Sequence, residues 1–363
     1  MLDKLYLNGI IVTNIGKYPG SIGVKDGKIA VITQDASDLA AKEVIDCGGR
    51  FILPGFIDGH IHPCDPGTTH REDFEHLTSA MAAGGITTGM MMPMNVPVIV
   101  DTKTFEYTKQ VYEGRGYVDY TIHGAAISTN LNTVDSLWRE TGATAIKMFM
   151  CFSTDDAPFV NDEEMYAHLE ILAKNGGLAL IHCENDGLIR KTERELKEQN
   201  LTDGMAYNAS HPDYAEVEAI GRAILYLRKT GARAVIVHVS TAEGLRMIHK
   251  AQEEGVQVWA ETCPHYLTFI DEAMKTLGAR LKFSPPMRGK TNRQELWELL
   301  EKGYVQTVAS DHCPFSAEEK LSSPDNIWNV PNGIPGVQTL APVLLNAVSQ
   351  GKISLEKVVE LTS

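Results

Sequence analysis

The sequence predicts an α/β fold: a (β/α)8 TIM-type barrel with part of a small β-sandwich attached. Three observations carry that prediction. From about Phe51 onward, short apolar strands alternate with amphipathic helices that end at glycine. About eight such strands can be counted, near-continuous in apolar residues, as parallel strands covered by helices must be. Polar residues fall where those strands end, which is the face on which barrels build their sites. A doubly wound open sheet is the competing arrangement of the same alternation.

Taken in order, the first fifty residues read as strands. LYLNGIIVT and SIGVKDGKIAVIT are β-rich, with Asp26-Gly27 placed where a hairpin turn belongs. FILPGFIDGHIH opens the barrel. Later units run through Gly84-Gly85 into ITTGMMM, across Tyr120–Ile127, and through Gly142 into TAIKMFM. The helix in NDEEMYAHLEILAKNGG sets Met165, Leu169, Leu172 and Ala173 on one face, then stops at Gly176-Gly177 before LALIH. EVEAIGRAILYLRKTG does the same with Val217, Ile220, Ile224 and Leu227 and feeds AVIVHVS. The helix after Thr241 stops at Gly255 before VQVWAETC, and NRQELWELLEKG stops at Gly303 before YVQTVASDH. The expected division is residues 1–50 as sandwich strands and residues 51–363 as the barrel.

Composition narrows the function classes. At 363 residues, with 43% hydrophobic and 22% charged residues, the chain can bury a large core and is not disordered. The richest apolar stretch, Met90 to Val100, is broken by Pro93, Asn95 and Pro97, so no membrane span is expected. The N-terminus has no apolar segment leading to a cleavage site, so no secretory signal is read. A net charge of −14 without a basic cluster argues against nucleic acid or an anionic membrane as partner. Six cysteines without CxxC spacing fit reduced thiols in a cytoplasm.

The chemistry sits at the strand ends. His60 and His62 end the first barrel strand, Lys147 lies in the fourth, His182 ends the fifth, His238 the sixth and Asp311 the eighth. Residues i and i+2 of a strand point the same way, so His60 and His62 aim together into the mouth. One histidine at a strand end is ordinarily a hydrogen-bonded, half-buried residue. Four imidazoles and a carboxylate on one face make a metal site for a borderline cation such as zinc. His70, His76, His168 and His249 lie elsewhere and read as surface or packing residues. Lys147 stands among Ile146, Met148 and Phe149, where an unpaired ammonium is costly and would repel a cation. Either it pairs with an acid, or it is altered into a group that can ligate. Cys151, Cys183 and Cys313 read as small packing residues.

PGFIDGHIH, TAIKMFM, ALIHCEN, VIVHVS, ETCPHYL, KFSPPMR, ASDHCPF and PNGIPG, in that order along the whole chain, resemble the cyclic amidohydrolases. These are the hydantoinases, dihydropyrimidinases, allantoinases and dihydroorotases. The resemblance implies two divalent metal ions, with zinc the expected metal. One is held by His60, His62 and Asp311, the other by His182 and His238, and a CO2-derived carbamate on Lys147 bridges both. It implies that a metal-bridging hydroxide attacks a ring amide carbon, while Asp311 takes the proton and hands it to the leaving nitrogen. A homo-oligomer, dimer or tetramer, is implied too. So is a sandwich completed by further strands, which makes a chain that stops at Leu361-Thr362-Ser363 read as truncated.

The signals for the ring conflict. Dihydroorotases carry an Arg two residues after the second histidine, and this chain has Cys64, which cannot replace a bidentate guanidinium. Hydantoinases carry a Tyr hydroxyl where this chain has Phe152, and one missing oxyanion donor costs on the order of 10²–10³ in rate. Ser284 and Asn332 resemble the hydantoinase residues that hydrogen-bond the ring, whereas Asn95 and His265 lie in stretches resembling allantoinases. Plain turn chemistry beside Pro and Gly is the alternative for Ser284, Asn332 and Asn95. The expected substrate is a small ring of allantoin, hydantoin or dihydropyrimidine type. Dihydroorotase, a non-catalytic scaffold related to dihydropyrimidinase, and an acyclic amidase are the alternatives.

Overall fold

A computed structural model describes all 363 residues. Contacts divide the chain into two compact units, Met1–Phe56 with Leu345–Ser363, and Ile57–Leu344. Residues 345–363, which the sequence runs on from the barrel, are therefore grouped with the N-terminal strands.

The first unit is a mixed sheet of β1 (Leu2–Thr13), β2 (Gly16–Lys25), β3 (Lys28–Thr33), β4 (Ala41–Asp46) and β5 (Phe51–Ile52). Its order is β3-β2-β1-β4, with β5 beside the far end of β1. Long β1 is antiparallel to β2 and parallel to β4 and β5. The β2–β3 turn is the expected Asp26-Gly27, with φ of 50° and 72°. Both residues must take positive φ in a two-residue turn whose twist matches the strands. The helix Leu355–Thr362 is capped by Ser354, whose side chain accepts from Lys357 N. It buries Leu355 and Val359 against Val12, with Leu53 and Val348 alongside.

The second unit is the barrel. Its strands are β6 (Phe56–Ile61), β7 (Ile86–Met91), β8 (Asp119–Ile122), β9 (Gly124–Ala125), β10 (Ile146–Phe149), β11 (Leu178–His182), β12 (Arg233–Ile236), β13 (Val258–Thr262) and β14 (Thr307–Val308). One ladder runs β6-β7-β8 and another β9 through β14 in sequence order. Since β8 continues directly into β9, they count as one barrel strand. The ring closes where Ile61 bridges His312 in parallel and His62 N donates to His312 O at 2.7 Å. Eight parallel strands in sequence order exclude the open doubly wound sheet. Met92, Ala145, Leu180 and Val237 form one cluster of its core.

Helices follow the periodicity. Asp162–Lys174 starts at a capping box of Asn161 and Glu164 and buries Met165, His168, Leu169 and Leu172. Ala173 is only half-buried, and His168 is a packing residue whose Nε2 donates to Ile127 O at 3.1 Å. Asp213–Thr230 ends at Gly231, in the left-handed region at φ 73°. No helix is long and apolar enough to cross a membrane.

Candidate active site

The barrel's register decides what can meet. His60 lies in β6 and His62 just beyond it, and their side chains point the same way. Their Nε2 atoms are 3.2 Å apart, and they lie 3.2 and 3.3 Å from Asp311 Oδ1. Ligands on a tetrahedral zinc with bonds of 2.0–2.1 Å stand about 3.3 Å apart, so these three atoms already have the spacing of a coordination sphere. Burial keeps the imidazoles neutral, pushing His60 down to about 3 and His62 to about 4. Burial would raise the Asp311 carboxyl, but His60, His62 and His238 around it outweigh that and hold it well below the usual range. Two neutral imidazoles and an ionised carboxylate are the donor set a divalent cation needs.

Two of these residues occupy strained backbone. His238 has φ 42° and Asp311 φ 47°. The left-handed region costs a non-glycine residue roughly 1–2 kcal/mol and persists where neighbours over-determine it. At Asp311, Ser310 N donates to Asp58 Oδ1 at 2.9 Å, and the His312 bridge follows directly. At His238, the backbone N–H reaches Glu261 Oε1 at 3.4 Å, and Val239 N donates to Glu261 O at 2.7 Å.

Glu261 is the residue that sequence reasoning missed. It lies in β13, 3% exposed, and its Oε1 accepts from His60 Nδ1 at 2.7 Å. That bond fixes the tautomer that leaves the His60 Nε2 lone pair facing His62 and Asp311. The strand carrying it, VQVWAETC, was legible, and its one inward acid was the available signal. A second carboxylate plays a matching part: Glu184 Oε2 accepts from His182 Nε2 at 2.9 Å and from Ser284 Oγ at 2.7 Å. This leaves Nδ1 as the His182 donor for a cation. Burial works to raise the Glu184 carboxyl, but His211, His182 and Ser284 prevail and bring it to about 2. The His238 ring lies 4.5 Å from that of His182 and 5.5 Å from that of His60, centroid to centroid.

Lys147 is 1% exposed, and its Nζ has no hydrogen-bond partner. The amine stands 4.8 Å from the centre of the Phe149 ring, and burial lowers its pKa. An orphaned buried amine beside a carboxylate and several imidazoles fits a group that becomes an anionic ligand.

These residues face a cavity of about 580 Å³, lined by His62, Lys147, His182, His238 and Asp311 at the metal end. Phe152, Ser284, Asn332 and Cys64 line it as well. Asn95 and His265 do not. Asn95 turns its amide to Thr108 Oγ1 at 3.1 Å, and its neighbours Met94 and Val96 line the wall instead. His265 lies in the first turn of the short helix Pro264–Thr268, its ring 4.2 Å from that of Tyr266 and 4.4 Å from that of Phe283. Cys64 leaves no cation at its position, but Arg71 reaches the same cavity. That guanidinium is engaged, paired with Glu319 through Nε at 2.8 Å and Nη2 at 2.6 Å and stacked 4.3 Å over Phe315.

Residues 51–363 match the model of the amidohydrolase family. The chain is 35% identical to an L-hydantoinase of Paenarthrobacter aurescens over 99% of its own length and 79% of the relative's. It is 33% identical to an allantoinase of Deinococcus radiodurans, covering 99% of this chain and 80% of that one. The solved L-hydantoinase (dihydropyrimidinase) from Arthrobacter aurescens superposes with a TM-score of 0.97 at 34% identity, over 99% of this chain and 80% of that chain.

Proposed function

The chain belongs to the amidohydrolase family, and from that premise we propose that it is a metal-dependent hydrolase opening a ring C–N bond of a small cyclic amide. Its relatives are named hydantoinase, dihydropyrimidinase and allantoinase, and the site has the donors such a reaction needs. The observation that carries the reading is the His60–His62–Asp311 triad at 3.2–3.3 Å, with the orphaned Lys147 amine in the same cavity. Residues 57–344 are the catalytic domain in this reading, and the N-terminal strands contribute to a small sandwich with which residues 345–363 are grouped.

His60 and His62 through Nε2, with Asp311, would hold one divalent ion. His182 through Nδ1 and His238 would hold a second, and Lys147, once carboxylated by CO2, would supply an anionic ligand between them. Bound there, ions such as zinc supply Lewis acidity toward the ring carbonyl and lower the pKa of water at neutral pH. Carbamate formation asks for a neutral amine, and burial of Lys147 favours that form. The Asp311 carboxylate, ionised among imidazoles, accepts the proton of the attacking water. It returns that proton to the ring nitrogen as the C–N bond breaks, so the product is a protonated nitrogen and a ring-opened carboxylic acid, which then loses its proton to solvent. Ser284 and Asn332 face the same cavity and offer hydrogen bonds to the ring amide. Ser284 is steered by Glu184, which leaves its oxygen lone pairs for a ring N–H.

Part of the cavity lining is apolar. Phe152, half exposed at the mouth, together with Met94, Val96 and Trp328, suits a ring bearing an apolar substituent. No hydroxyl stands at the Phe152 position. Dihydroorotate is disfavoured because Cys64 carries no charge and Arg71 is neutralised by Glu319. A non-catalytic scaffold is disfavoured by a complete ligand set. The test is a parallel assay of allantoin, hydantoin, 5-phenylhydantoin, dihydrouracil and dihydroorotate on zinc- and manganese-loaded protein. Turnover of one or more uncharged rings, abolished by chelation, is expected. Metal-loaded protein that opens none of them would overturn the reading.

A further inference from the structure

The walls of the cavity that carry Ser284 and Asn332 belong to two separate segments, and two buried lysines lie where those segments meet. Lys282 Nζ donates to Ile327 O at 2.8 Å and to Val330 O at 2.5 Å. Lys320 Nζ donates to Lys282 O at 3.2 Å and to Pro331 O at 3.0 Å. Gly333 N also donates to Lys282 O, at 3.1 Å. Ser284 is two residues beyond Lys282, and Asn332 lies between Pro331 and Gly333. The lysines are 5% and 8% exposed, and neither amine has a carboxylate partner. The acid that acts on Lys282 from a distance, Glu193, is itself paired with Lys197.

Burying an ammonium against carbonyls alone is costly, and it endures where the geometry it imposes is needed. Burial pushes both amines down to about 8, so both remain charged at neutral pH. A charged donor makes bonds roughly twice as strong as a neutral one. Lys282 is steadied in turn by the face of Tyr207 at 4.7 Å, whose hydroxyl donates to Phe283 O at 3.0 Å.

We propose that Lys282 and Lys320 are paired positioning residues, two ammonium groups in series that pin the Asn332 loop to the Ser284 segment and so set the gap in which the ring is held. The assignment rests on the proposed cyclic-amide reaction for its kinetic consequence, and on the loop's own hydrogen bonds for its structural one. The experiment is Lys282→Met and, separately, Lys320→Met in the full metal-loaded chain. The readouts are hydrogen exchange of residues 327–333, metal per chain, thermal midpoint, and KM and kcat for whichever ring the unchanged protein opens. Losing such a bond corresponds to about tenfold faster exchange in that loop. KM rises by a similar factor, while kcat and metal content stay within about twofold. Turnover of no ring by the unchanged protein would sink the reaction and leave exchange to decide the clamp. Unchanged exchange in both variants overturns it, as does a fall in kcat at constant KM. Loss of fold or metal in both variants would assign the lysines a global role and overturn it equally.

Discussion

Replacing Glu261 tests how the site sets its affinity for metal. Its Oε1 accepts from His60 Nδ1 at 2.7 Å and meets the backbone N–H of strained His238 at 3.4 Å, so one buried oxygen serves two of the proposed ligands. Burial and the neighbouring Asp311 raise the Glu261 carboxyl to about 8, so a bound cation would be what ionises it; Glu261→Gln keeps the shape and an acceptor oxygen but forbids that charge, which would strengthen the bond from His60 Nδ1. Glu261→Ala leaves His60 Nδ1 buried with no acceptor, which costs about 1–3 kcal/mol, and releases the ring to rotate. Carboxylates that orient metal-bound histidines are worth 10–100-fold in affinity. The Gln variant therefore belongs near tenfold, about 1.4 kcal/mol, and the Ala variant near a hundredfold, about 2.7 kcal/mol. Competition against chelators of graded strength, with metal counted per chain, measures both, and circular dichroism verifies the fold. A folded Ala variant that binds metal as tightly as the unchanged chain would refute the assignment of the His60 tautomer to Glu261.

The remaining predictions concern the other members of the site. Lys147→Ala loses metal and turnover together, and bicarbonate during reconstitution raises the activity of the unchanged protein; a variant keeping two metals and normal turnover would end the carbamate assignment. Ser284→Ala removes one neutral hydrogen bond and raises KM about two- to tenfold with little change in metal content. Unaltered steady-state kinetics would take Ser284 out of the ring site. Glu184→Ala frees both His182 and Ser284, so it lowers metal affinity and raises KM at once, whereas an effect on only one would break the link between them. In the metal-free chain, burial holds His60, His62, His123 and His265 at about 3, 4, 3 and 4, below their ordinary 6.5. Their stabilisation is complete above pH 6.5 and is lost as pH falls toward those values, because the unfolded chain takes up the protons. Asp58 and Glu261, raised by burial to about 6 and about 8, and Glu216, raised by burial too, act in the opposite sense, their contributions being lost as pH rises through their folded values. Buried His238, His211 and His168 are shifted the same way as the four, and seven histidines outweigh three acids, so the thermal midpoint drops between pH 6.5 and 4, and a rise on acidification would refute the balance.

Why some of the site could be read from the sequence and some could not follows from how strands present their residues. A polar residue at or just past the end of an apolar strand is conspicuous, because nothing else there explains it; His60 and His182 within their strands, and His62, His238 and Asp311 one to three residues beyond theirs, announce themselves in this way. Lys147 does so by being costly where it stands. Glu261 is as deeply buried as His182, His238 and Asp311, yet within VQVWAETC it alternates with apolar neighbours as a solvent-facing acid would. Only the closure of the barrel, with Glu261 paired to Thr307 of β14 and Ile61 of β6 bridged to His312, brings it to His60, 201 residues away in sequence. Loop residues fail for a different reason. Asn95 and Ser284 both sit beside prolines and read alike, but a loop has no fixed period to say which side chain faces inward. The Asn95 amide turns to Thr108, while Ser284 is drawn to the cavity by Glu184. The lysines at 282 and 320 were invisible for the same reason, since their partners are backbone carbonyls whose positions no side-chain pattern encodes. Sequence thus marks the groups that would touch metal, where chemistry limits the choice of residue, and is silent on the groups that aim them, where only geometry does.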